Sequence, residues 1–423
     1  MKIKNIFWNF LGLGLPLFVA LLTIPPLIKN VGNEIFGFIS LSWGLIGYAS
    51  LFDFGIGRAT TQLVAKALGN SNYQTTYNIF KISRNLSLVF GAAGGVFIYI
   101  VGYAFGLDYI NYSNVHHDEV QYSLVIIAIA IPLHSISGMY RGFSEAYENF
   151  KAVSILRCLL GLMNFIFPYF VSIYTTRLDI LIFSILCSKL VGLILYSLIA
   201  NKTIKHHPIE KGLSNKELDT VIKRELLSFG GWYSVSCIIN PFLTQIDRFI
   251  IGGMLSVAAI AVYAIPFELV TKLTIFASAI STVAFPRYSK LIVESHAKAK
   301  DEFNKWLKLV SILMATVCLL FLILLPLFLE VWIGDSLNRD SVIIGQILCI
   351  GVFLNAVGIM YFTWIHARGK SNITAKFHLV ELPIYITLLY FLVDKHGVIG
   401  ASIAWTIRTF IDTTLLAWYF HKK

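Results

Sequence analysis

The sequence predicts an all-α integral membrane protein of twelve transmembrane helices, arranged as two halves of six. Three observations predict it. Only 13% of the 423 residues are charged and the mean hydropathy is +0.73, whereas a soluble domain carries about 25% charged residues. Apolar runs of about 20 residues recur along the whole chain, each long enough to cross roughly 30 Å of hydrocarbon as a helix. The runs show no alternation of period two. A closed barrel, the other fold that satisfies its backbone in lipid, is therefore not indicated.

Taken in order, the candidate spans lie at about 6–28, 35–57, 82–105, 120–140, 152–174, 178–200, 226–251, 257–283, 305–330, 341–364, 373–393 and 398–420. The first follows Lys2 and Lys4, is longer than a signal-peptide core and precedes no small-residue cleavage motif. It reads as an uncleaved span. The least apolar window, Asn201–Arg224, carries six basic residues: Lys202, Lys205, Lys211, Lys216, Lys223 and Arg224. It reads as a cytoplasmic basic hinge loop, 201–224, between an N-terminal six-helix bundle, 1–200, and a C-terminal one, 225–423.

Orientation follows from the loops. On the inner side fall 26 of the 34 lysines and arginines, while the outer loops hold only Lys29, Arg177, Arg339 and Lys395. That bias places both termini in the cytoplasm. It also accounts for the net charge of +11 without nucleic acid. The longest outer loop, Gly106–Glu119, leaves no room for an outer domain. On the inner side Thr60–Asn70 mixes polar and apolar residues, and is expected as a short amphipathic helix on the membrane surface.

Prolines recur at similar places in both halves: Pro25 and Pro26 against Pro241, and Pro168 against Pro383. Kinked, repeated halves suit a rocking transporter, although membrane helices also simply tolerate proline. The five cysteines fall in apolar runs and read as small buried hydrophobes. Trp8, Trp232, Trp306, Trp332, Trp364 and Trp418 lie near span ends and read as interfacial anchors. Trp43 and Trp405 are deeper, where packing outranks sugar stacking.

Ionisable groups at membrane depth are costly and call for a role. Lys189, Glu268, Lys272, Glu381, Arg408 and Asp412 fall near the midplane. Asp247 and Arg248 fall in the outer third of span 7, and Asp53 and Arg58 close span 2. Glu268 and Lys272 have the order and spacing of a local pair. Arg408 and Asp412 have the less favourable order. Lys189 has no acidic neighbour on its own helix, so it snorkels, meets a partner such as Glu381, or faces a polar cavity. Lys189 and Arg408 rank first as cavity cations, then Arg248 and Lys272. The six midplane charges sum to zero, so composition alone does not make a cavity cationic. His134 could relay protons, but a hydrogen-bonded structural role comes first.

Motifs for chemistry are missing. Gly369-Lys370-Ser371 has the tail of a phosphate-binding loop, but Trp364 stands where glycine is needed. No clustered Cys/His pattern offers a metal site. No cofactor is expected, and energy has to come from a gradient, another protein or downhill movement.

Five stretches carry a resemblance: FDFGIGRA (52–59), RGFSEAYENF (141–150), IDRFIIGGMLSVAAIAVYAI (246–265), FPRYSK (285–290) and ARGKSNITAKFHLVELPIY (367–385). With them the chain resembles the polysaccharide-transporter branch of the multidrug/oligosaccharidyl-lipid/polysaccharide (MOP) exporter superfamily, and within it the Wzx-type O-antigen flippases. The resemblance implies a MATE-like fold, two six-helix bundles around a central cavity. It implies transfer of undecaprenyl-diphosphate-linked oligosaccharide between the leaflets of a bacterial inner membrane. Proton or sodium coupling, and work beside a polysaccharide polymerase and a chain-length regulator, are expected with it. Asp53, Arg58, Asp247 and Arg248 match the family's charged positions, and Arg141 its loop arginine.

Such a cargo is chemically consistent with the charges. A diphosphate with sugars cannot cross hydrocarbon unaided. Arginine meets phosphate in bidentate fashion, and lysine as a point charge. This gives Lys189, Arg408, Arg248, Lys272 and Arg58 as substrate-binding cations, and Asp53, Asp247, Glu268, Glu381 and Asp412 as coupling or charge-pair groups. Three alternatives stand beside it: a drug or metabolite cation antiporter, a membrane polymerase or glycosyltransferase, and a lipid II flippase. An antiporter favours unpaired carboxylates, and an enzyme a sizeable outer loop.

Overall fold

The computed structural model describes residues 3–47, 53–106, 116–206, 216–333 and 338–422, all helical apart from short turns. Among them ten helical stretches are long and apolar enough to cross a membrane, with Ile35–Gly47 as a shorter apolar helix. One of the ten, Ser371–Lys422, is itself two helices, because Gly397 breaks it at φ 57, ψ −140. The helices therefore match the twelve expected spans. The backbone at Gly397 is in a region open essentially to glycine alone.

The chain divides into two compact units, Met1–Ser234 and Val235–Lys423. The stretch expected as a hinge loop differs from expectation. Its ends are helical at 201–206 and 216–224, and its middle, 207–215, lies outside the described residues. Polar composition ruled out membrane depth there, but Lys, Glu and Leu are good helix formers in any solvent. Most of the 106–119 loop is also outside the described residues.

The N-terminal unit contains α1 (Ile3–Gly47, broken at Gly32), α2 (Ile56–Gly69), α3 (Tyr73–Val101), α4 (His117–Ala146), α5 (Phe150–Ser172) and α6 (Leu178–His206). It also holds the first part of α7 (Lys216–Met254). Helix α4 is central, packing on α2, α3 and α6. Asn72 caps α3, its side chain accepting from Thr75 N. Leu178 N, at the start of α6, donates to Glu119 Oε2 on α4 at 2.8 Å, which satisfies a donor that the helix itself leaves open. The apolar core joins Leu27, Ile39, Ile127, Ile131, Leu181 and Ile185.

Helix α2 is not a surface helix. Thr60, Thr61, Gln62, Leu63, Val64 and Ala65 are all buried, because glycines let it nest against α4. Thr61 Oγ1 donates to Gly142 O at 3.0 Å, and a Cβ on Gly142 would collide with the Gly57 carbonyl. Gly142→Ala is therefore expected to destabilise the protein by about 1–3 kcal/mol. Loss of full-length protein from the membrane fraction at raised temperature measures this, and an unchanged thermal profile would refute the close approach.

The C-terminal unit contains the rest of α7, then α8 (Val257–Thr271), a 3₁₀ turn (Lys272–Thr274), α9 (Ile275–Glu294), α10 (His296–Ile333), α11 (Arg339–Ala367) and α12 (Ser371–Lys422). Here α11 is central, packing on α8, α9, α10 and α12. Ser256 and Asn338 cap α8 and α11. Trp364 and Trp306, expected as interfacial anchors, are buried at 1% and 6% exposure. Trp364 packs edge-on against Tyr288 and Phe420, and at a tilt against Phe303. For Trp364, an aromatic cluster offered more contact than the interface. Trp405 packs on Phe267, 5.5 Å between rings, and Trp418 is exposed. The side chain of Trp332 lies outside the described residues. Among the described residues Cys158, Cys187, Cys318 and Cys349 are free thiols, the last two buried.

Candidate functional site: a cationic cavity in the N-terminal unit and two charge clusters in the C-terminal unit

Polar residues and glycines recur at helical spacing on three neighbouring helices. On α4 they are His134, Ser137, Gly138 and Arg141; on α5 Arg157, Gly161 and Asn164; on α6 Ser188, Lys189, Gly192 and Tyr196. Spacings of three and four residues put each set on one helix face. The three faces meet around a cavity of about 270 Å³. Glycines on each face leave it open.

Lys189 lines this cavity, as one of its expected alternatives had it. Its Nζ donates to Asn164 Oδ1 at 3.1 Å. The suggested partner Glu381 sits elsewhere, beside Arg408. Arg141, expected on an inner loop, belongs to the cavity wall because α4 runs on to Ala146. Two further residues were not singled out from the sequence. Arg157 lines the same wall, and buried Glu145 binds both arginines, at 2.8 Å from Arg157 Nη2 and 4.0 Å from Arg141 Nε. Arg157 had read as one of the topological inner-side charges. The i, i+4, i+7 polar stripe on α5 was the signal that could have exposed it.

Asp53, in the turn before α2, is not among the lining residues but approaches the wall residue Gly138. Its Oδ1 accepts from Gly55 N at 2.8 Å, and its Oδ2 lies 3.9 Å from where a Cβ on Gly138 would sit. This aspartate turn, with Phe54 and Gly55 both at positive φ, ends the membrane run and starts α2. Arg58 is half-buried on α2 and is not among the residues lining the cavity. His134 is on the wall. The cavity thus presents Arg141, Arg157 and Lys189, with Glu145 bound to both arginines.

In the C-terminal unit the expected charges fall into two clusters. In the first, fully buried Asp247 accepts from Tyr263 OH at 2.6 Å and from Arg248 N at 2.8 Å. Glu268 bridges two cations, at 2.6 Å from Arg248 Nη2 and 2.9 Å from Lys272 Nζ. The local Glu268–Lys272 pair forms as its spacing allowed, and Arg248 joins it from α7. The Arg248 guanidinium also lies 5.6 Å from the Phe267 ring centre, a cation–π contact.

In the second cluster the fold-back at Gly397 lays the two halves of α12 side by side. Arg408 Nε lies 3.7 Å from Glu381 Oε2, and Asp412 Oδ1 lies 4.0 Å from His378 Nε2. Arg408 and Asp412 thus each face a residue on the other half of α12, which places Arg408, expected as a foremost cavity cation, in a buried ion pair. All four are buried. Among the described residues no group of three or more His, Cys, Asp or Glu could hold a metal ion.

Comparison with known proteins supplies the context. Residues 3–292 match the family model described as "Polysaccharide biosynthesis protein". A putative O-antigen transporter of Shigella flexneri is 30% identical over 99% of this chain and 98% of its own length. The lipopolysaccharide biosynthesis protein WzxC of Escherichia coli is 20% identical over 96% of this chain and 78% of its own. Among solved structures, the Vibrio cholerae MATE transporter VcmN superposes with a TM-score of 0.82 at 14% identity, covering 99% of this chain and 96% of that one. A MOP superfamily transporter from Pyrococcus furiosus gives 0.75 at 14% identity, covering 99% and 95%. These likenesses establish the fold as that of the MATE transporters. The Shigella relative matches nearly end to end and the family model spans most of the sequence, so the chain belongs to the polysaccharide biosynthesis protein family.

Proposed function

We propose that the protein is a flippase. It moves undecaprenyl-diphosphate-linked oligosaccharide units, of O-antigen or a related surface polysaccharide, from the cytoplasmic to the outer leaflet of the bacterial inner membrane. It acts by alternating access, with both termini cytoplasmic and movement coupled to protons or sodium. A polymerase and a chain-length regulator use its product. The observation that carries this reading is the polarity of the N-terminal cavity: Arg141, Arg157 and Lys189 all line it, and the carboxylate paired with the two arginines is Glu145. An excess of cations inside a membrane protein is retained only for a role, and an anionic headgroup supplies one. A cation antiporter would need the opposite polarity.

Deletion of the gene is the test. Surface polysaccharide should disappear, and a lipid-linked oligosaccharide should accumulate on the inner leaflet, both restored by the wild-type gene. Unchanged surface polysaccharide in the deletion would overturn the assignment.

A further inference from the structure

We propose that Glu145 is the internal counter-ion of the N-terminal cavity, paired with Arg157 and Arg141 until an oxyanion group of the cargo, phosphate or carboxylate, enters and displaces it. The origin of the anion rests on the flippase reading; the chemistry of the subsite rests on the cavity itself.

Size limits the occupant. A volume of about 270 Å³ equals about nine water molecules at their share of liquid volume. That accommodates a diphosphate or one sugar ring, not an oligosaccharide. The cavity therefore reads one part of a larger ligand, and its charge says which kind of part.

The charges are held unequally. Glu145 Oε1 lies 2.8 Å from Arg157 but 4.0 Å from Arg141, and the Arg141 side chain keeps 42% exposure against 17% for Arg157 and 7% for Glu145. Arg141 is thus the looser of the two forks and presents donors to an entering anion. Across the cavity, Lys189 bonds to a neutral amide oxygen at 3.1 Å. A charged oxygen is the stronger acceptor and would replace it.

Glu145 solves a problem that an empty anion site poses. Three clustered cations repel, and burying them without a counter-ion is costly. A carboxylate bound tightly to all three would block the ligand. One carboxylate, close to Arg157 and distant from Arg141, steadies the empty site and still yields to a competing oxyanion. On release Glu145 returns to the guanidiniums and helps expel the ligand. Glu145 is accordingly a positioning residue that competes with the ligand.

The test is calorimetric titration of the purified full-length protein with inorganic pyrophosphate, glucuronate and glucose. Wild type should bind at least one of the two anions and not glucose; which anion binds separates a lipid diphosphate from an acidic sugar as its source. Glu145→Gln should bind that anion about tenfold more tightly while transporting less polysaccharide, because release is slowed. Lys189→Gln should weaken binding and leaves the Glu145 pairing intact, so it tests the subsite even where Glu145→Gln fails to fold. Failure of both anions to bind wild type, or unchanged or weaker binding by folded Glu145→Gln, overturns the proposal. Neither result touches the flippase reading, which the deletion strain decides separately.

Discussion

Lys189→Ala is expected to bring surface polysaccharide to background while the protein stays in the membrane at wild-type level. The two halves of this expectation have separate causes. Lys189 is one of the three cavity cations, and its partner is the neutral amide of Asn164. A charged hydrogen bond to an anionic ligand contributes about 1.5–3 kcal/mol, so its loss weakens binding by about ten- to a hundredfold. Folding suffers little, because Asn164 is itself uncharged and can turn to water in the cavity. Lys189→Arg should retain partial function, since charge is kept and shape is not. The measurement pairs an immunoblot of membranes with gel analysis of the polysaccharide. Wild-type polymer at equal protein level would remove Lys189 from the site.

Arg408→Ala is expected to act differently, by loss of the protein itself. The Arg408 and Glu381 side chains are 7% and 3% exposed. Removing the cation leaves Glu381 buried without a counter-ion and on the same helix pair as buried Asp412. Breaking a buried pair from one side destabilises by about 3–5 kcal/mol, a large share of the roughly 5–15 kcal/mol that holds a folded protein together. The double variant Arg408→Met with Glu381→Gln removes both charges and should recover much of the lost protein. Membrane abundance and thermal unfolding of the single and double variants supply the check. If Arg408→Ala accumulated normally while polysaccharide vanished, Arg408 would be a ligand contact and not a structural counter-ion.

From the sequence, these two residues ranked together as the foremost cavity cations, and the structure separates them. Both are basic residues at membrane depth, and span position is all that a hydropathy reading measures. What distinguishes them is which helix face each occupies and what stands opposite. The fold-back at Gly397 brings Glu381, 27 residues earlier in the numbering, against Arg408. No local spacing rule reaches that far. The Glu268–Lys272 pair was legible because it is an i, i+4 contact, whereas Arg248 entered it from another helix. Arg157 was misread for a related reason. Near a membrane edge, a basic residue that sets topology and one that lines a cavity look the same in sequence.

Tryptophans near span ends show the same division. Trp418 and Trp364 occupy similar positions relative to their spans, yet one is exposed and the other is packed among Tyr288, Phe303 and Phe420. Helix α2 was readable as a helix with two faces. Its burial depended on Gly57 and Gly142 meeting, and they stand far apart in the chain.

By itself the sequence determined the membrane class, the approximate positions of the apolar helices and the family. Each of these follows from local composition, because lipid imposes the same demand on every span regardless of its neighbours. Only the tertiary structure decided which charges face a cavity and which neutralise one another, and it assigned Glu145 to the arginines that it holds. Those outcomes depend on which faces of distant helices meet, and Coulomb energy depends on distance in space, not on separation along the chain.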